Sequence, residues 1–237
     1  MLCKIADLFV DVPEAGGIAP RLRDYLWEEK PNAEIIKLSE ECYVPENWPG
    51  VPYEFMCFNE AGAQFFTRLL DHNGMFLHSA AIGWNGKAYL FSAPSGTGKS
   101  THTKMWQELY GEDSVVQIND DKPPLRYVDG CWYAYGAPWS GKASINTNVK
   151  LPLAGICFLQ QGKENKIRRA TPLEAISYLT GQTIHKNMNQ QQAETLLRNL
   201  DSLIQTIPMF VLECTPTIEA AKLSSETMSK AADEAGL

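Results

Sequence analysis

The chain has 237 residues, of which 44% are hydrophobic and 21% charged, and its formal net charge is −7. This suits one large globular domain, or one domain with an appendage, rather than a disordered or fibrous chain. The negative balance and the lack of a Lys/Arg-rich block argue against nucleic acid as a partner, and no run of ~18 apolar residues offers a membrane span.

Residues 1 to about 50 alternate weakly, through Ile5, Leu8, Val10 and Val12 and again through Ile35, Ile36 and Leu38. Ile18 to Glu29 suits a short helix between them. Lys4, Asp7 and Asp11 interrupt the first apolar residues, so the N-terminus is not read as a signal peptide, and a cytoplasmic protein is expected. Pro45, Pro49 and Pro52 with Gly50 mark an irregular stretch. Glu60 to Leu70 has helical apolar spacing, stopped at Asp71-His72-Asn73-Gly74. Met75 to Trp84 and Lys87 to Ser92 read as two strands around Asn85-Gly86, a strong hairpin signal.

Lys99 to Tyr110 reads as a helix ending at Gly111, and Ser114 to Ile118 as a short strand. Leu125 to Val128 and Trp132 to Tyr135 flank Asp129-Gly130 as a second hairpin. Leu153 to Gln160 has the apolar run of a central strand. Pro172 to Leu179 and Gln190 to Gln205 read as helices, Met209 to Cys214 as a last strand, and Thr217 to Ala232 as a terminal helix. The expected fold is α/β with a mixed, partly antiparallel sheet, because the hairpins do not suit a purely parallel one. Residues 1–72 are expected to form a small β-rich N-terminal portion packed on a core of residues 73–237. Six cysteines, at positions 3, 42, 57, 131, 157 and 214, form no C-x-x-C pair and read as reduced, buried thiols.

Ser92 to Thr101 reads S-A-P-S-G-T-G-K-S-T, directly after the apolar run Ala88-Tyr89-Leu90-Phe91. It meets the G-x-x-x-x-G-K-[ST] pattern of a phosphate-binding loop except at the first position, where Ala93 stands. Each part has a physical task. Gly96 and Gly98 allow a tight turn and close approach to a polyanion. Backbone N–H groups of the loop and first helical turn point at the phosphates, with the helix dipole behind them. Lys99 reaches the terminal phosphates, and Ser100 supplies a hydroxyl to Mg²⁺. Ser95, Gly96, Thr97, Gly98, Lys99, Ser100 and Thr101 are therefore the expected nucleotide-binding residues.

Asp120 and Asp121 end an apolar strand. Carboxylates there can hold Mg²⁺ or receive a proton from an attacking hydroxyl. A strand beside the loop strand would bring its C-terminal end near the γ-phosphate. Adjacent side chains on an extended segment point opposite ways, so the two are not expected to share one task. His78 interrupts the apolar strand before the loop, and by itself reads as readily as a core histidine. Lys142, in the stiff loop Gly136-Ala137-Pro138-Trp139-Ser140-Gly141-Lys142, either meets a phosphate or is solvated. The sequence leaves Arg126 without a role and puts Arg168-Arg169 on the surface.

Taken as a set, Leu77-His78-Ser79-Ala80-Ala81-Ile82, Asn85-Gly86, the loop from Leu90 to Thr101 and Asp120-Asp121 resemble the nucleotide-binding core of the HPr kinase and phosphoenolpyruvate carboxykinase superfamily. The resemblance covers about residues 75 to 160. It implies ATP and Mg²⁺ as cofactors. It implies that His78, Lys99 and Asp120 are catalytic, with one carboxylate of the Asp pair as base and the other as metal ligand, taken as Asp120 and Asp121, and with Ser100 also on the metal. It also raises homo-oligomerisation, because relatives in the kinase branch form hexamers.

Two departures narrow it. The chain has no room for the extra substrate domain of a carboxykinase. The Arg-Gly-Leu-Gly signature of the HPr kinase branch is replaced by Pro138-Trp139-Ser140-Gly141-Lys142-Ala143, which counts against HPr as the acceptor. The resemblance is to small, stand-alone HPr-kinase-like proteins. The expected activity is transfer of the γ-phosphoryl of ATP to a hydroxyl of a peptide, protein or small molecule. The alternative is a nucleotide-sensing regulatory module without turnover.

Overall fold

A computed structural model of the chain describes residues 1–14, 18–39, 50, 52–141, 143–183 and 187–237. In chain order the elements are β1 (Leu2–Ile5), β2 (Leu8–Asp11), α1 (Ala19–Leu22), β3 (Ile35–Lys37), α2 (Tyr53–Leu69), β4 (Gly74–Phe76), β5 (Ser79–Trp84) and β6 (Lys87–Ser92). Then follow α3 (Lys99–Tyr110), β7 (Val115–Asn119), β8 (Pro124–Val128), β9 (Cys131–Tyr135), β10 (Lys150–Gln161), β11 (Lys166–Arg169), α4 (Pro172–Gly181), α5 (Gln190–Thr206), β12 (Met209–Cys214) and α6 (Ile218–Glu234).

The expected α/β class with a mixed sheet is what the chain adopts. β6, β10 and β12 run parallel to one another, whereas β5 is antiparallel to both β6 and β7. β11 adds an antiparallel edge to β12. β4, β8 and β9 form an antiparallel run that joins the first residues of β10, where Lys150–Pro152 pair with Tyr133–Tyr135. β10 is thus shared. Its first three residues belong to the antiparallel run, and the remainder lies between β6 and β12.

The apolar pattern explains the layers. Ile82, Tyr89, Phe91, Ala154, Cys157, Phe210 and Leu212 face α3 and α6, in one cluster with Trp106, Ala221 and Met228. Ala81, Leu90, Leu153, Ile156, Phe158 and Met209 turn the other way, toward Leu179 of α4 and Leu200 of α5. This is the period-2 alternation of strands covered on both faces. A register shift between Leu153 and Gly155 lets Leu153 and Ile156, three residues apart, share a face.

A third cluster joins the three-stranded sheet β1-β2-β3 to α2 and to Tyr135, Ala137 and Trp139. Trp139 stacks on Phe65, with ring centroids 4.8 Å apart, and donates its indole N–H to the Phe58 carbonyl at 3.1 Å. Gly62 makes room for it, since a Cβ there would stand 2.7 Å from the ring. Such an aromatic pair adds ~1 kcal/mol beyond the area it buries, which helps seat the irregular loop after β9.

The structure corrects several boundaries. Met75–Trp84 is two strands, because β4 leaves to pair with β8 and the chain breaks at Leu77-His78. The His78 N–H goes to the Gln182 carbonyl and the His78 carbonyl accepts from Ser92 Oγ, so neither serves a strand ladder. α2 begins seven residues earlier than its apolar spacing indicates, since its first turn exposes Tyr53 and Phe55. β11 carries no apolar alternation and is seen only in the pairing. β7 is separated from β6 by β5 rather than lying beside it. The expected helix within 18–29 is one α-turn, α1, followed by a 3₁₀ turn at Arg23–Tyr25. The five described cysteines are free, but Cys131 is exposed, because it opens β9 on the hairpin; Cys42 lies outside the described residues. Among the described residues no helix is long and apolar enough to cross a membrane.

Gly136 closes β9 against the loop after it. Its N–H donates to the Val149 carbonyl at 3.0 Å, and a Cβ would fall inside the van der Waals radius of the Thr147 carbonyl oxygen. Backbone cannot give way as a flexible side chain does. Gly136→Ala is expected to lower unfolding free energy by ~2–3 kcal/mol in urea titration, the scale of an overpacked core. A variant within 0.5 kcal/mol of wild type, about the noise of a surface change, would show that the loop yields freely.

Candidate functional site

Three strand ends meet at one edge of the sheet. Ser79 at the start of β5 pairs with Ser92 at the end of β6, and Ala81 pairs with Asn119 at the end of β7. Because β5 runs against both neighbours, its entrance lies beside their exits. The residues just outside these ends are His78, the loop from Ala93 to Gly98, and Asp120-Asp121.

The loop crosses from β6 to α3 with Gly96 at φ +81° and Gly98 at φ +121°. Both values lie where a Cβ is strained, so these two positions require glycine. Thr97 N–H donates to the Pro94 carbonyl at 3.3 Å, and Gln161 at the end of β10 donates to the Thr97 carbonyl, also at 3.3 Å. α3 begins at Lys99, and its first turn presents N–H groups that an α-helix cannot satisfy internally. Ser95, Gly96, Ser100 and Thr101 are exposed around it.

Lys99 is different. It is only 9% exposed, and its ammonium donates to the Ala93 carbonyl at 2.8 Å and lies 3.3 Å from His78 Nε2. Burial pushes its pKa down, the Asp121 charge partly restores it, and Lys122 lowers it again. A buried ammonium whose hydrogen bonds go to neutral atoms is an anion receptor by its electrostatics.

The two carboxylates go separate ways. Asp121 Oδ1 is 3.2 Å from His78 Nε2, and Asp121 Oδ2 is ion-paired with Lys122. Burial acts to raise its pKa, but the hydrogen bonds with His78 and Lys122 and the Lys122 charge outweigh it, and the carboxyl falls to about 2. Asp120 accepts the Gly141 N–H at 2.5 Å. Its pKa is raised, because burial and the Asp121 charge outweigh the backbone hydrogen bonds from Gly141 and Ala143. His78, Lys99 and Asp121 therefore form one cluster, while Asp120 belongs to the loop after β9. Lys142 lies outside the described residues.

Several positioning groups were not legible as such in the sequence. Asn119 is fully buried. Its side-chain oxygen accepts the N–H groups of Asp121 and Lys122 at 2.9 and 2.8 Å, and its amide donates to the Ala137 carbonyl at 3.1 Å. It fixes the Asp pair as an Asx turn and ties it to the neighbouring loop. An Asn ending an apolar strand is the signal that was available. Gln182, after α4, meets His78 Nδ1 at 2.8 Å, with no local pattern to announce it. Arg21, from α1, reaches Ser140 Oγ at 3.1 Å and Ser144 Oγ at 2.6 Å, bracing the loop that holds Asp120. Other groups are structural. Arg126 donates to the Ala6 and His72 carbonyls, His102 is buried against Ser224 with its pKa pushed down to about 4 by burial, and Arg168 pairs with Glu174 on the surface.

The Asp pair carries opposite linkage. Asp121 titrates lower in the folded chain than its ordinary 3.8, so it stabilises the fold above that value and the contribution is lost as pH falls through about 2. Asp120 titrates higher when folded, so its ionised form costs stability at neutral pH. Asp121→Asn should lower the urea midpoint at about pH 7 and flatten its fall between roughly pH 4 and 2. Asp120→Asn keeps an oxygen for Gly141 N–H and should raise the midpoint at about pH 7. Equal losses in both variants would contradict this electrostatic assignment.

Against solved structures, the chain is similar to the Hpr(Ser) kinase/phosphatase from Coxiella burnetii at 10% identity, over 55% of this chain and 92% of that one, with a TM-score of 0.30. At that score the likeness carries no functional argument. No curated protein matches by sequence. The family model described as SynChlorMet cassette protein ScmC matches residues 50–219, which span α2 through the start of α6 and so include the glycine-rich loop, His78, the Asp pair and Gln182. The chain belongs to the ScmC family of SynChlorMet cassette proteins.

Proposed function

We propose that the chain is an ATP-dependent phosphotransferase that moves the γ-phosphoryl to a hydroxyl of a peptide, protein or small molecule. One observation carries the reading. The buried Lys99 ammonium and an ionised Asp121 both meet His78 Nε2, at 3.3 and 3.2 Å, beside a glycine-rich loop that opens a 12-residue helix.

On this reading the N–H groups from Ser95 to Thr101 surround the phosphates, and Lys99 neutralises their charge in a site partly shielded from water. The donors suit a hard cation such as Mg²⁺, since Asp121 is held ionised and Ser100 presents an exposed hydroxyl. Among the described residues no group of three or more His, Cys, Asp or Glu could hold a metal ion, so phosphate oxygens and water would complete its shell. Such an ion supplies charge neutralisation between phosphates. Asp120, with its raised pKa, is the better proton acceptor of the pair. It takes the proton of the acceptor hydroxyl as the new P–O bond forms and the bond to the leaving diphosphate breaks. His78 holds Asp121 and Lys99 in register. The segment 139–141 borders the acceptor side, because it carries the Gly141 N–H that orients Asp120.

The net charge of −7 disfavours nucleic acid as a partner, and the free thiols of the described cysteines favour a reducing cytoplasm. The chain is proposed to assemble as a homo-oligomer, which its mass in solution would reveal.

Labelled ATP and Mg²⁺ against a panel of hydroxyl acceptors should give label transfer by the wild type. Lys99→Ala and Asp120→Asn should each reduce it by ~10²–10⁴-fold. His78→Ala should impair transfer or alter its metal dependence. ATP binding with no transfer to any acceptor, water included, would favour the regulatory sensor. Unchanged transfer by Asp120→Asn would remove Asp120 from the chemistry.

A further inference from the structure

Arg21 carries a charge that no carboxylate answers. Its Nη1 donates to the Ser140 carbonyl at 3.3 Å and to Ser140 Oγ at 3.1 Å, and its Nη2 donates to Ser144 Oγ at 2.6 Å. All of these partners are neutral. Among the described residues no Asp or Glu pairs with it, in a chain whose carboxylates outnumber its Lys and Arg by seven. A guanidinium has five N–H donors, so two are left over for a ligand.

The group is held in place from two sides. Its central carbon lies 4.7 Å from the centroid of the Phe58 ring, and the Phe58 carbonyl in turn accepts the Trp139 indole N–H. Ser140 Oγ also meets Asn146 Nδ2 at 3.3 Å, and Asn146 Oδ1 accepts from the buried Tyr25 hydroxyl at 2.8 Å.

Position gives the charge a use. Ser140 precedes Gly141, whose N–H goes to Asp120 Oδ1 at 2.5 Å. One peptide unit and two hydrogen bonds separate Arg21 from the Asp120 carboxylate, a span of at most ~8 Å. Its hydrogen bonds go to Ser140 and Ser144, and none goes to the glycine-rich loop, Lys99 or His78. Arg21 thus belongs to the Asp120 side of the site rather than to the phosphate side. A molecule that offers a hydroxyl to Asp120 and a carboxylate to Arg21 needs only a few bonds between the two groups. Hydrogen bonds of ~2.8 Å at each end take up most of the span. Asp120, Asp121 and the net charge of −7 would repel such an anion, so it requires a local cation, and Arg21 is one.

We propose that Arg21 binds a carboxylate of the phosphoryl acceptor, which is then an anionic compound with its hydroxyl a few bonds away. The acceptor assignment rests on the phosphotransfer reading; the anion site does not.

The carboxylate can belong to a free hydroxy acid or to an acidic residue beside a hydroxyl residue in a peptide. Two matched pairs of probes separate these sources: N-acetylserine with N-acetylserinamide, and an end-blocked Ser-Asp dipeptide with its Ser-Asn analogue. Binding is read first, without turnover, from the ¹⁵N signal of Arg21 Nε–H in the nucleotide-free full chain, assigned by its loss in Arg21→Gln. At least one acid should shift the signal saturably, and its carboxamide should not. The alanine analogue of that acid, lacking only the hydroxyl, should bind several-fold more weakly. No saturable shift from either acid, an equal shift from the carboxamide, or an alanine analogue that binds as well each overturns the proposal.

With the bound acid as acceptor, Arg21→Gln should raise its KM roughly 10–100-fold and leave KM for ATP nearly unchanged. The carboxamide, already poor with the wild type, should lose nothing further. Equal losses for acid and carboxamide would reduce Arg21 to a brace of the loop, and a raised KM for ATP alone would put it on the nucleotide; either result overturns the proposal. Transfer only to uncharged acceptors does so as well. If Arg21→Gln lowers the urea midpoint, Arg21→Lys replaces it. That variant keeps the charge without the planar fork and should raise the KM of the acid alone. A saturable shift in a wild type that transfers to no acceptor would overturn the phosphotransfer reading and leave the anion site standing.

Discussion

The site depends on one constraint of topology, the insertion of β5 between β6 and β7 and antiparallel to both. In a purely parallel sheet every strand would leave by the same edge and every entrance would lie at the far one. Here the entrance of β5 is brought to the exits of its neighbours. A side chain before a strand and side chains after two others can therefore meet, and His78, the glycine-rich loop and Asp121 do so. The Asn85-Gly86 turn imposes this reversal. Both of its residues take positive φ, and the twist of such a turn matches the twist of the strands it joins.

Charge placement follows from the same edge. Lys99 loses hydration where the strand ends crowd together, and among the described residues its ammonium meets the Ala93 carbonyl and His78 Nε2. Asp121 keeps its charge through His78 and Lys122, while Asp120, one residue earlier, is pushed toward neutrality. Two adjacent carboxylates thus acquire different electrostatics because an extended backbone sends them to different surroundings. The α2 cluster contributes from a distance. Trp139, seated on Phe65 and Gly62, steadies the loop whose Gly141 N–H holds Asp120.

Much of this was legible where physics is local. α3 begins at Lys99 and ends at Tyr110, as its spacing and Gly111 indicate, and both hairpins turn at their Asn-Gly and Asp-Gly pairs. Failures came where partners are remote. Leu77-His78 continues an apolar run and looks like strand, but its backbone groups are claimed by Gln182 and Ser92. The polar β11 has no apolar pattern to read and exists because β12 offers an edge. Pro152 hid the first residues of β10, which stay extended at the point where one partner strand gives way to the next.

The sequence by itself determined the glycine-rich loop, the helix behind it, the turns and the α/β class with a mixed sheet. Each of these rests on backbone conformations and periodicities set within a few residues. The tertiary structure alone decided which carboxylate meets His78, that Lys99 is buried, that β5 separates β6 from β7, and that Gln182 grips the imidazole. Those facts depend on contacts between segments up to about a hundred residues apart, formed only once both faces of the sheet are covered.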